Sequence, residues 1–94
     1  MSNKIEFRYC TGCRWLMRTA WMAQEVLTTF DGDIDEVSLQ PGTGGVFEVI
    51  ANGQRIWSRE EDGGFPEIKV LKRLVRDVIA PEKELGHVDR QTKR

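Results

Sequence analysis

Cysteine and histidine are scarce in this chain: two of the first and one of the second in 94 residues. A structural zinc site takes about four ligands. Cys10, Cys13 and His87 do not complete one within a single chain, and no metal is expected unless a second copy shares it. Long apolar stretches are missing too. None approaches the roughly 18 residues of a membrane-spanning helix, and Met1-Ser2-Asn3-Lys4 carries no apolar signal segment. Nor does either sign of charge dominate. Fourteen basic and fifteen acidic residues leave a net charge of −1, too weak a field to draw nucleic acid. Repeats and linkers are absent. The expectation is one globular domain over residues 1–81, with a modest core, and a polar, flexible tail over 82–94. A cytoplasmic setting follows, where disulfides tend to be transient and catalytic.

Both cysteines fall in one stretch, Tyr9-Cys10-Thr11-Gly12-Cys13-Arg14. Before it, Ile5, Phe7 and Tyr9 alternate with Lys4, Glu6 and Arg8, the pattern of a half-buried strand over 4–9 (β1). After it comes a helical run over about 11–29 (α1), with Leu16, Ala20, Ala23, Leu27 and Phe30 on one stripe. A Cys-x-x-Cys at a strand-to-helix junction reads as a redox pair. Unpaired N–H groups at a helix start favour thiolate over thiol, and thiolate is the reactive form. An inert core pair is the bland alternative; Thr11 and Gly12 between the cysteines argue against it. Thr11 and Gly12 shape the turn, and Arg14, with Arg8 and Arg18 near in sequence, is the candidate for lowering a thiol pKa. Met17 and Trp21 fall off the apolar stripe and, with Trp57, form a candidate partner patch.

Further on, 34–40 reads as a strand (β2), and 41–45 as a glycine-rich loop. No Lys-Ser/Thr and no helix follow that loop, so it is not a phosphate-binding loop. Asn52-Gly53 joins strands over 46–51 (β3) and 54–59 (β4) in a two-residue hairpin, with Val49 opposite Ile56, Phe47 opposite Ser58, Glu48 opposite Trp57 and Ile50 opposite Arg55. Residues 60–64 read as a polar turn. A last helix (α2) starts at Pro66, buries Ile68, Leu71, Val75 and Val78, and closes before Pro81. A crossover through the first helix makes β1 and β2 parallel. With β3 antiparallel to β1, the expected architecture is α/β (α+β), β1-α1-β2-β3-β4-α2, sheet order 2-1-3-4, both helices on one face. The cysteines, the 41–45 loop and the 59–64 loop then share one edge. Gly44, Gly45 and Val46, with Arg59, Gly63 and Gly64, are the candidate substrate-binding residues there.

Residues 4–80 resemble the selenoprotein W-related family, also called the Rdx group, which includes selenoproteins T, W and H. The resemblance rests on Tyr9 to Leu16, Pro41-Gly42 and Gly45, Phe47-Glu48-Val49, Ile56-Trp57-Ser58-Arg59, Gly63-Gly64-Phe65-Pro66, and Leu71-Lys72 to Arg76-Asp77. It implies a reduced thioredoxin-like fold and thiol redox chemistry, with glutathione or protein partners. Some family members carry selenocysteine where this chain has Cys13, and the resemblance therefore makes Cys13 the attacking residue. Position at the strand-to-helix edge, by contrast, favours Cys10. The chain also lacks the proline that thioredoxins place before the strand facing the motif; Val46 stands there. The expected function is a thiol–disulfide oxidoreductase acting on protein or low-molecular-weight thiols and disulfides. The alternative is a redox-sensitive interaction module, with a protein partner or a second copy as its target.

Overall fold

The computed structural model describes residues 2–86. Its elements are β1 (Lys4–Cys10), α1 (Leu16–Thr29), β2 (Glu36–Gly42), β3 (Phe47–Ala51), β4 (Gln54–Ser58), a one-turn helix α2 (Arg59–Asp62) and α3 (Ile68–Ile79). One four-stranded sheet runs in the order β2-β1-β3-β4, the expected 2-1-3-4. β1 is parallel to β2 and antiparallel to β3, which places it centrally.

Alternation in β1 buries Ile5, Phe7 and Tyr9 on the helix side. Phe47, Val49 and Ala51 join them from β3, Met22, Ala23 and Val26 from α1, and Leu71 and Val75 from α3. Burying each large apolar side chain of this set contributes roughly 1.5–3 kcal/mol. That shared core fixes α1 and α3 on one face. The opposite face is a polar lattice. Arg8 and Arg55 both reach Glu48, at 3.4 and 3.1 Å, Arg55 also reaches Glu61 at 2.7 Å, and Gln40 bridges Arg8 to Glu6.

Several expectations need correction. α1 starts at Leu16 rather than about Thr11, because residues 11–14 form a separate turn. Its buried stripe is Thr19, Met22, Ala23 and Val26, continued by Phe30. Leu16 and Leu27, expected inside, are 48% and 43% exposed. The helix is rotated about its axis, and Thr19 takes a core position with its hydroxyl unpartnered among the described residues. β2 begins at Glu36 rather than Ile34 and runs on through Pro41 and Gly42, expected to be loop. Pro41 is tolerated because β2 is an edge strand. Gly42 sits where a Cβ would meet Val46 Cγ1 at 2.9 Å.

The Asn52-Gly53 hairpin forms with φ of +50° and +82°, as a two-residue turn of this type requires. A bulge between Val49 and Ile50 changes its register: Ile50 faces Arg55 as expected, but Val49 faces Trp57 and Glu48 faces Ser58. The 60–64 "polar turn" is in large part α2. Ser58 Oγ accepts from Glu61 N–H at 3.4 Å, Asp62 accepts from Ser58 N–H at 2.9 Å, and Gly63 ends the turn left-handed. α3 begins at Ile68, so Pro66 precedes the helix. Residues 82–86, assigned to the tail, fold back: Lys83 pairs with Asp33 at 2.9 Å and its carbonyl accepts from Arg76, while Leu85 packs on the core. His87 and the remaining tail lie outside the described residues.

Candidate redox site

β1 and β2 stay in register to the end of the motif strand, Tyr9 opposite Pro41 and Cys10 opposite Gly42. Thr11 continues the tether: its N–H and its hydroxyl both donate to the Gly42 carbonyl, at 3.1 and 3.3 Å. The chain then turns, closed by Arg14 N–H donating to the Thr11 carbonyl at 2.9 Å, and Arg14 takes a φ of +63°. Only Trp15 separates that residue from α1. Cys13 therefore precedes the helix instead of lying in its first turn.

This path buries Cys10 at 4% exposure and leaves Cys13 exposed. The place of Cys10 at the strand-to-helix edge, which favours it as attacker if it makes that thiol the more exposed, instead leaves it the less exposed of the two. Both thiols are free, with their Sγ atoms 2.6 Å apart and Cys13 donating to Cys10. The hydrogen bond from Cys13 chiefly lowers the Cys10 pKa, helped by the Gly45 N–H and, against a smaller opposing effect of burial, by the Cys13 and Gly12 N–H groups. Cys13 is raised, first by that same bond, then by burial and the charge on Cys10; the Gly45 N–H and Arg59 act the other way. When the pair loses its first proton, the negative charge is therefore favoured on Cys10, with Cys13 keeping the shared proton.

Gly45 brings the 43–46 loop to the sulfurs. It and Gly44 adopt φ of +77° and +72°, a backbone state that side-chain-bearing residues seldom take. Gly44, Gly45 and Val46 line one wall of a groove of about 300 Å³, with Ser58, Arg59 and Glu60 opposite. The structure therefore brings Gly44, Gly45, Val46 and Arg59 to the cysteine rim. Gly63 and Gly64 have other work: Gly63 caps α2, and the Gly64 carbonyl accepts from the Trp57 indole at 2.9 Å. Trp57 is half-buried against the core, so it does not extend the exposed patch of Met17 (84%) and Trp21 (49%).

The arginines divide differently from expectation. Arg8 is engaged with Gln40 and Glu48 on the open sheet face. Arg18 lies 4.4 Å above the Phe65 ring. The arginine acting on Cys13 is Arg59, held 5.0 Å from the Trp15 ring centroid and 6.0 Å from that of Phe65. Phe65 also meets Trp15 edge-on at 4.9 Å and Phe47 at 4.8 Å. Sequence reasoning gave Phe65 no role, and nothing local to it signals this cluster. Among the described residues, no group of three His, Cys, Asp or Glu side chains is placed to hold a metal, and no helix is long and apolar enough to cross a membrane.

The sequence profile of the Rdx family matches residues 4–77. This chain belongs to the Rdx family. Among solved structures it is similar to a selenoprotein W-related protein from Vibrio cholerae, with 52% identity and a TM-score of 0.82 over 84% of this chain and 99% of that one. A protein from Bordetella parapertussis gives 60% identity and a TM-score of 0.80, over 82% and 98%. The four-stranded sheet with its two packed helices is thus the reduced thioredoxin-like fold of selenoprotein W-related proteins. Among curated proteins the chain is 33% identical to migration and invasion enhancer 1 of Bos taurus over 73 residues and of Mus musculus over 72. It covers 62% and 61% of those relatives' lengths, about three fifths.

Proposed function

We propose that this Rdx-family chain is a two-cysteine thiol–disulfide redox protein, with Cys13 as the attacking residue and Cys10 as the resolving one. The observation that carries the reading is the cysteine pair itself: its sulfurs 2.6 Å apart, one residue exposed and one buried, with the Gly45 N–H directed at both sulfurs. Exposure favours Cys13 for meeting a substrate. In the singly ionised pair the Cys13 proton passes to the Cys10 thiolate along the existing hydrogen bond, and the Cys13 thiolate so formed attacks a disulfide R–S–S–R′. The Cys13–S–S–R bond forms and R′–S⁻ leaves. Cys10 gives up its proton and its thiolate attacks Cys13, forming the Cys10–Cys13 disulfide and releasing R–S⁻. The proton given up by Cys10 and one taken from solvent end on the two released thiolates, and two electrons have moved from protein to substrate.

Arg59 and the Gly45 N–H stabilise charge on Cys13 during attack, a role the sequence had suggested for Arg14. Gly44 and Val46 border the groove into which an extended substrate fits. Glutathione is a candidate co-substrate, no resident cofactor is invoked, and the proposed setting is the reducing cytoplasm. Glutathione disulfide tests the order of attack by thiol trapping and intact mass. Cys10→Ser is expected to accumulate a stable glutathione adduct on Cys13, and Cys13→Ser to remain largely unmodified. An adduct confined to Cys13→Ser would reverse the two roles.

A redox-sensitive interaction module is the second reading, favoured by the exposure of Met17 and Trp21. It predicts that size-exclusion separates oxidised from reduced protein, through a partner or a homodimer, and that Trp21→Ser removes the difference.

A further inference from the structure

A second concavity abuts the motif and shares no lining residue with the groove. It is a shallow hollow of about 290 Å³ formed by Tyr9, Thr11, Arg14, Leu16 and Met17. In the chain these residues bracket both cysteines: Tyr9 and Thr11 flank Cys10, and Arg14 follows Cys13. Its apolar wall is built from residues that the core did not take. Leu16 is 48% exposed and Met17 84%. Both lie in the first turn of α1, rotated away from the stripe that packs on the sheet. A methionine at the rim adapts to side chains of different shape. The only charge in the lining is Arg14, whose guanidinium has no partner among the described residues. Glu48 and Glu61, by contrast, are held by Arg8 and Arg55.

Resting on the redox reading above, we infer that this hollow selects the substrate: it receives a large apolar side chain next to the substrate's disulfide cysteine, while Arg14 takes a nearby carboxylate. The preferred substrate is then an extended protein segment with apolar and acidic residues beside its cysteine. Glutathione disulfide offers carboxylates but no apolar side chain beside its sulfur, so it leaves the hollow empty. The apolar wall and the unpaired cation sit on residues that flank the two cysteines in the chain, so a substrate that fills both is held with its disulfide near Cys13. Burial of the side chain supplies attraction, and Arg14 supplies direction and charge selection.

Mixed disulfides between short peptides and thionitrobenzoate test this. In the Cys10→Ser protein, Cys13 attacks the peptide sulfur, the peptide–Cys13 bond forms, and coloured thionitrobenzoate leaves. Acetyl-Cys-Phe-amide is expected to react about tenfold faster than acetyl-Cys-Gly-amide, the range that a filled apolar pocket gives. Leu16→Ser/Met17→Ser should bring that ratio close to one. Leu27→Ser, exposed on the same helix outside the hollow, should keep it. Adding Glu after Phe should speed the reaction relative to Lys, and Arg14→Ala should remove that preference. Equal rates for the Phe and Gly probes overturn the pocket and leave the redox reading standing. A Lys preference, or none, overturns the role of Arg14. No release from any probe by folded Cys10→Ser, while the unfolded protein reacts, overturns the redox reading and the pocket with it.

Discussion

The two ends of β1 are built on opposite plans. At its start, polar groups close on one another. Asn3 N–H donates to Asp35 at 2.7 Å, the Asn3 amide to the Asp33 carbonyl at 2.8 Å, Lys4 N–H to Asn52 at 2.8 Å, and the Asn52 amide to Asn3 at 2.9 Å. At its other end, backbone donors point at two sulfurs, a cation rests on aromatic faces instead of a carboxylate, and an arginine takes a left-handed backbone. Each end carries one positive-φ residue that is not glycine, Asn52 and Arg14. Asn tolerates that state and uses its side chain locally; Arg does neither. One strand thus has a closed end that holds the sheet together and an open end whose donors are free for chemistry.

Breaking the open end should change reactivity most. In wild-type protein the first thiol titrates below the ordinary range because Cys13 donates to Cys10. A thiolate is reactive above its pKa and lost below it. Cys13→Ala removes the donor, so the alkylation midpoint of Cys10 should move to higher pH, read by iodoacetamide rate against pH. An unmoved midpoint would deny the shared proton. Breaking the closed end should instead cost stability alone. Asn52→Ala loses two side-chain hydrogen bonds and keeps the positive φ, for about 2–3 kcal/mol in denaturant unfolding, with the alkylation profile unchanged. Asn52→Gly should cost less, since only the bonds are lost. A smaller effect of opposite sign is expected from Arg14→Gly, which relieves the left-handed residue and should add about 1 kcal/mol. Between the two ends, Thr19→Val removes a buried unpaired hydroxyl and should raise stability by about 1 kcal/mol or less, seen as a higher denaturation midpoint.

How much of this was legible follows from where each signal lay. The β1 alternation, the Asn-Gly hairpin and the glycine-rich approach to the cysteines are local, and strand order followed from connection rules. The start of α1 was not legible: Gly12 suggests a flexible turn, yet Arg14 takes the positive φ. The helix face was misjudged because Leu16 and Leu27 look like core and Thr19 does not. The Val49/Ile50 bulge has no mark in composition. The α2 turn did have one, Ser58-x-x-Glu61, a capping pattern that the polar reading of 60–64 passed over. The Arg59, Trp15 and Phe65 cluster joins three separate segments and becomes visible only once they are folded together.

The central claim is that Cys10 and Cys13 work as one redox unit. The most direct test is a titration of wild-type protein against glutathione buffers, with thiol trapping and intact mass. The account predicts one two-electron transition, with the Cys10–Cys13 disulfide as its oxidised end. Two thiols that stay free across the whole range, in protein whose fold is intact, would contradict it.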